Sequence, residues 1–250
     1  MSEKAVNKFS KIRRIYGIVS GKGGVGKSFV TSNIAVELNK MGFSVGILDA
    51  DITGPSIPHM FGIKEGVYGD EEKIFPAVSK TGIKIISSAL LLSDGEDPIM
   101  WRGPLIGDLV TQFYTTVNWG ELDYLLIDFP PGTSDVALSS FQQIPIDGII
   151  LVTTTQQMVS TMVQKTNKMA EQLSVDVLGV VINMSHFEIP DSDDHYHMFG
   201  EVDYDQIQNV FHLKVLGAIP FVPKNAKLAD EGKIELVHHE IIEMIAKELY

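Results

Sequence analysis

Cysteine is absent from these 250 residues. That excludes disulfides, thiolate metal sites and a cysteine nucleophile, and it removes the usual sequence clue to redox compartment. Long hydrophobic runs are missing too, and no stretch reaches the ~20 apolar residues of a membrane-spanning helix. The first residues, MSEKAVNKFSKIRR, are basic at one end but carry no apolar segment before a cleavage site. No secretory signal is therefore expected, and the expected location is cytoplasmic. Positive charge is scarce, with 20 Lys and Arg against 32 Asp and Glu and a formal net charge of −12. Such a surface repels nucleic-acid phosphates and anionic lipid, so neither nucleic acid nor membrane is an expected partner. The one basic cluster, Lys8, Lys11, Arg13 and Arg14, reads as solubilising charge on a frayed N-terminal arm covering about residues 1–12.

Hydrophobic residues make up 44% of the chain, enough for a full core. Apolar runs bounded by Gly, Pro and Asp alternate with stretches of helical period. Strands are expected at 15–20, 43–48, 83–88, 122–127, 148–152, 175–182 and 215–219. Helices are expected at 28–41, 103–119, 158–173 and 235–249. Continuous apolar strands interleaved with helices mean a mostly parallel sheet covered on both faces, an α/β fold of three layers. No repeat, low-complexity linker or composition break divides the chain, so residues 1–250 read as one domain. In such sheets ligands bind outside the carboxyl ends of the strands. The polar residues at those ends are the ones to examine.

Residues 21–28, GKGGVGKS, follow the first strand and open the first helix. They fit the phosphate-loop pattern G-x-x-x-x-G-K-[ST], and strand-then-helix is the context that gives the pattern meaning. Glycines let successive N–H groups turn toward anionic oxygens, and the helix N-terminus adds its positive dipole end. The nucleotide-binding segment is thus Gly21, Lys22, Gly23, Gly24, Val25, Gly26, Lys27, Ser28 and Phe29, in a P-loop NTPase fold. Lys27 is expected on the terminal phosphates and Ser28 on Mg²⁺. Asp128 ends the run LDYLLID, where a magnesium-holding carboxylate belongs. Asp49 and Asp51, in DADITGPS, end the second strand at the same edge. They are expected to hold magnesium or position water, although an Asp there also serves turns. The segment FPPGTSD, with its turn at Gly132, suits a loop that senses the γ-phosphate.

The pattern does not require Lys22. KGGVGKS resembles the deviant phosphate loop of the MinD, ParA and nitrogenase iron-protein class. Together with DADITGPSIP, DPIMWRGP, WGELDYLLIDFPPGTSD, GVVINMS and ADEGK, it resembles the Mrp/ApbC family of iron–sulfur cluster carrier ATPases. The resemblance implies an ATP- and Mg²⁺-dependent homodimeric switch with low basal hydrolysis, acting with iron–sulfur client or scaffold proteins. By the same resemblance Lys22 crosses the dimer interface to the partner's nucleotide, Asp51 positions the attacking water, and Asn183 contacts adenine with Pro220 as a neighbouring wall. Lys22, Lys27 and Asp51 are thus the implied catalytic residues. Family members carry a C-P-x-C segment after NMS. Here Ile189 and Ser192 stand at about those positions, and neither is a cluster ligand. His195 and His197, two apart and near Asp191, Asp193 and Asp194, suit a different metal such as Fe²⁺, Zn²⁺ or Ni²⁺. The preferred reading of the same stretch is a solvated acidic loop with incidental histidines. His238 and His239 read as surface positions.

Other functions stay open. A MinD- or ParA-like positioning ATPase needs a basic amphipathic end, whereas IELVHHEIIEMIAKELY is acidic and reads as a helix packed on the sheet. A cluster-free regulatory or scaffold ATPase needs no ligands. A metabolic ATPase needs a second pocket, for which Trp101, Arg102, Asp108 and Gln112 are the candidates.

Overall fold

In a computed structural model, the described residues are 4–52, 54–91, 106–132, 135–155, 168, 170–171, 174–189 and 194–250. Strand β1 (Ser10–Ser20) leads through a loop into helix α1 (Lys27–Lys40), followed by β2 (Val45–Asp49) and the short α2 (Ile57–Met60). Three two-residue strands, β3 (Tyr68–Gly69), β4 (Ile74–Phe75) and β5 (Ala77–Val78), precede β6 (Lys84–Ser87). Then come α3 (Ile106–Thr116), β7 (Gly120–Asp128), α4 (Asp135–Gln143), β8 (Gly148–Thr153) and β9 (Val177–Glu188). The chain ends with β10 (His195–Tyr196), β11 (Val215–Phe221), α5 (Pro223–Asp230) and α6 (Glu240–Lys247).

The sheet runs β10-β9-β8-β1-β7-β2-β6-β5, with β11 also paired to β9. The pairs joining β11, β9, β8, β1, β7, β2 and β6 are all parallel; among the described residues, β5 and β10 add to the sheet antiparallel. Parallel pairing requires crossovers, and their helices cover both faces. On one face Val110 and Phe113 of α3 and Phe141 of α4 join Ile15, Leu125, Ile127 and Leu151. On the other, Val30, Ile34 and Leu38 of α1 and Ile242 and Ile245 of α6 join Ile18, Ile47, Leu126 and Ile150. The expected three-layer α/β arrangement is therefore present.

Two expectations need correction. The N-terminal segment is docked from residue 4 onward. Lys4 Nζ donates to Phe141 O at 2.8 Å, Ala5 N to Gln143 O at 2.8 Å, and Asn7 Nδ2 to Val117 O at 2.8 Å. Strand β1 then begins at Ser10, pairing with Gly120. Lys8, Lys11, Arg13 and Arg14 point into solvent, as their charge suggested, but three of them lie on a paired strand. Their polarity hid the pairing because it is made by the backbone. The C-terminal helix is also shorter than its apolar pattern: a 3₁₀ turn (Ile234–Leu236) comes first, and His239 caps α6 by accepting from Ile241 N at Nδ1 (3.3 Å). His238 is exposed and His239 half-buried. The helix expected at 158–173 lies almost wholly outside the described residues. Among the described residues no helix is long and apolar enough to cross a membrane.

Candidate functional site

The parallel strands end at one edge, and the polar residues of the sequence motifs meet there. β2 and β7 pair in register, so Asp49 stands directly beside Asp128. β7 also pairs with β1, from whose end the glycine loop departs. The loop is held by Ser20 Oγ, which donates to Lys22 O at 3.0 Å, and by Gly132 N, which donates to Ser20 O at 2.8 Å. Gly24 and Gly26 take φ of 82° and 78°, the left-handed region that glycine enters without strain. At Gly26 a side chain is also excluded by space: a Cβ there would fall 2.2 Å from Asn183 Nδ2.

Lys27 and Ser28 begin α1 with their side chains turned to Asp128. Lys27 Nζ lies 2.7 Å from Asp128 Oδ2, with the two side chains 6% and 0% exposed. Its N–H groups nevertheless find no well-aligned acceptor among the described residues. Ser28 Oγ donates to Asp128 Oδ2 at 2.5 Å, and Thr31 Oγ1 lies 2.7 Å from Asp128 Oδ1 and 3.0 Å from Lys27 O. Thr31 was not a sequence candidate, although its position one turn after Lys27 places it on the same helix face. Asp49 is buried and accepts from Ser87 Oγ at 3.0 Å and Asp51 N at 3.3 Å. Burial first, then the neighbouring Asp128 charge, pushes the Asp49 carboxyl up to about 7, against the opposing pull of Ser87 and Lys27. Asp51 is half-buried and accepts from Gly54 N at 3.2 Å.

Of these, Lys27, Ser28 and Asp51 border a cavity of about 270 Å³ lined by Lys22 to Phe29, Asp51, Ser56, Met60 and Pro131. Lys22 is exposed at its mouth, the opposite setting to Lys27. A second, mostly apolar cavity of about 230 Å³ shares Gly26, Phe29 and Met60 with the first and adds Asn183, Pro220 and Phe221. Asn183 Nδ2 donates to Val25 O at 2.9 Å, which ties the end of the apolar run in β9 to the glycine loop. Its other amide hydrogen and its carbonyl oxygen are the polar groups it can offer to that cavity. Met60, Phe221 and Asn225 also line the slot and were not sequence candidates, because they come from elements distant in sequence. The phosphate cradle and the apolar slot together have the form of a nucleotide site. The residues fit nucleotide and magnesium on their own chemistry: a buried ammonium without an aligned acceptor, glycine-only backbone, and hard oxygen donors in Ser28 and Asp128.

Residues 11–249 match the family model ParA, described as NUBPL iron-transfer P-loop NTPase. The chain belongs to this family. Its relatives include an iron-sulfur cluster carrier protein of Methanocaldococcus jannaschii, 44% identical over 89% of this chain and 78% of the relative. Another, of Clostridium perfringens, is 38% identical over 97% and 88%. A third, of Aquifex aeolicus, is 40% identical over 91% of this chain, which spans 63% of that relative's length. Among solved structures, a nucleotide-binding protein from Archaeoglobus fulgidus in complex with ADP superposes with a TM-score of 0.82 at 39% identity, covering 92% of this chain and 90% of that one. The cell-division ATPase MinD of Pyrococcus furiosus, at 21% identity and a TM-score of 0.64, shares the fold. It covers 95% of this chain and 98% of that one.

For a member of an iron-transfer family, the missing donor is plain. The sequence holds no cysteine, and the exposed Ile189 offers only a hydrocarbon side chain. Ser192, Asp191 and Asp193 lie outside the described residues, and Asp194 is exposed. The chain's residues do not fit an iron–sulfur cluster. His195 and His197 are not at the nucleotide site. They lie on or beside the β10 edge strand, against His186 of β9, which sequence reasoning missed. Of the residues considered for a separate catalytic pocket, Trp101 and Arg102 and the side chain of Asp108 lie outside the described residues. Gln112 lies on α3 with its Oε1 buried.

Proposed function

We propose that this chain is an ATP-binding, ATP-hydrolysing homodimeric switch that acts in the cytoplasm on iron–sulfur assembly or transfer. The cluster belongs to a cysteine-bearing client or scaffold. One observation carries the nucleotide reading: the Lys27 ammonium is buried at a helix N-terminus, beside Ser28 and Asp128, without an aligned acceptor. Such a group is stabilised by phosphate oxygens brought to the glycine loop. Ser28 and Asp128 would hold magnesium, which neutralises charge developing on the transferred phosphoryl group. Asn183 and Pro220 would bound the adenine. Asp51, at the cavity wall and turned by its bond from Gly54 N, would orient the attacking water.

Lys22 is the residue that makes the site a shared one. Its exposure at the cavity mouth supports a role across a two-fold interface, where it would supply a cation in trans to the partner's nucleotide. A site completed only in the dimer gives slow turnover alone. The positioning-ATPase alternative is disfavoured by α6, whose Ile242, Ile245 and Ala246 are buried in the core and unavailable to a lipid surface.

The test has two arms. Purified chain should hydrolyse ATP slowly, well under ~10 s⁻¹, with activity lost in EDTA and in Lys27→Ala. Absence of Mg²⁺-dependent hydrolysis would overturn the ATPase reading. Anaerobic reconstitution with iron and sulfide, followed by desalting and metal counting, should leave no cluster on the chain. A retained cluster would overturn the assignment of its ligands to another protein.

A further inference from the structure

Strand β10 folds back on the end of β9, with His195 opposite Glu188 and Tyr196 opposite Phe187. Side chains alternate across a strand, so His186 and Glu188 share one face of this ribbon with His195 and His197. The rings confirm the shared face: His186 and His195 have centroids 4.6 Å apart, and His186 and His197 5.8 Å apart. We propose that this ribbon binds a borderline divalent transition-metal ion, of the Zn²⁺ or Co²⁺ class, through His186 and the β10 histidines.

Two imidazoles that share one ion at a metal–nitrogen distance of about 2.0–2.1 Å and a tetrahedral angle have centroids about 5 Å apart. The two observed separations bracket that value. Ser185, buried, places its Oγ 3.0 Å from His186 Nδ1, and a hydrogen bond at Nδ1 orients the ring and leaves Nε2 for a metal. His186 is half-buried, with its ring against those of the exposed His195 and His197. Glu188, exposed opposite His195, supplies an anionic oxygen. Among the described residues no three of these donors already converge on one point. His195 and His197 are both exposed, so they can reorient onto an ion already seated on His186. A cavity of about 630 Å³ bordered by Ser185, His186 and His197 leaves room for bound water to complete the coordination. Nitrogen donors with one carboxylate select the borderline metals over Mg²⁺ or Ca²⁺.

The site is separate from the nucleotide cavity and does not depend on the reading given to it. The experiment is a titration of the full chain with Co²⁺ in excess Mg²⁺, followed by visible absorption and by equilibrium dialysis. About one Co²⁺ per chain should bind at micromolar concentration with the ligand-field bands of nitrogen coordination, and Zn²⁺ should displace it. The His195→Ala/His197→Ala variant should lose at least tenfold in affinity, with its thermal melt and ATP binding unchanged because both positions are exposed. His212→Ala, at an exposed histidine away from the ribbon, should bind as the parent does. No binding, or binding indifferent to the double substitution, would overturn the proposal.

Discussion

Asp49 and Asp128 stand side by side at the ends of adjacent strands, and the Lys27 ammonium contacts Asp128. The burden of that arrangement falls on Asp49, raised to about 7. A carboxyl whose folded pKa exceeds its unfolded value stabilises the fold at low pH, and that contribution is lost as pH rises through the folded value. Between about pH 4 and 7 the metal-free protein should therefore lose stability through this group. Asp49→Asn removes the charge and keeps an acceptor for Ser87. In EDTA its melting temperature should match the parent's near pH 4 within a degree or two and exceed it by several degrees at pH 8, on a scale of ~2–4 °C per kcal/mol. Equal melting curves at both pH values would contradict the assignment. At this scale, the residues legible in the sequence were those marked by a local pattern: Lys27 and Ser28 by the glycine loop, and Asp128 by its place at the end of an apolar run. Ser87, Thr31 and His186 were not, because strand register or a helix turn brings each to its partner.

The glycine loop is an element fixed by conformation as well as by charge. Gly26→Ala would impose strain at a left-handed φ and press a methyl against the Asn183 amide. Chemical denaturation should show a loss of ~1–3 kcal/mol, together with weaker ATP binding. At the other end of β1, Asn7 bridges the carbonyls of Tyr114 and Val117 while 8% exposed. Asn7→Ala should cost ~1–3 kcal/mol by stripping the Tyr114 carbonyl of its Asn7 donor, and fast hydrogen exchange should appear at residues 5–12. An exposed arm would show neither effect. The parallel strands and α1 were legible because apolar periodicity is local. The docked N-terminal segment was not, since polar side chains and backbone hydrogen bonds hold it. The short strands at 68–78 were also unread, because two-residue strands carry no period.

At the scale of the whole molecule, the proposed ATPase site is assembled from two chains. Family membership and a Lys22 exposed at the cavity mouth support the proposed assembly, whose interface is not legible in one chain. Neither is the client, since the sequence holds no cysteine that would mark where a cluster meets this chain. ATP with Mg²⁺ should shift the sedimentation coefficient from monomer toward dimer. Lys22→Ala alone should bind ATP with parent affinity and lose nearly all turnover. The most direct measurement mixes two inactive variants, Lys22→Ala and Asp51→Ala, and follows phosphate release. Each should be inactive alone. In the mixed dimer the Asp51→Ala subunit lends its Lys22 to a partner whose Asp51 is intact, restoring one of two sites. With random pairing about half of the two-fold dimers are mixed, so roughly a quarter of parent activity should return. Mixtures as inactive as their components would contradict the trans assignment of Lys22.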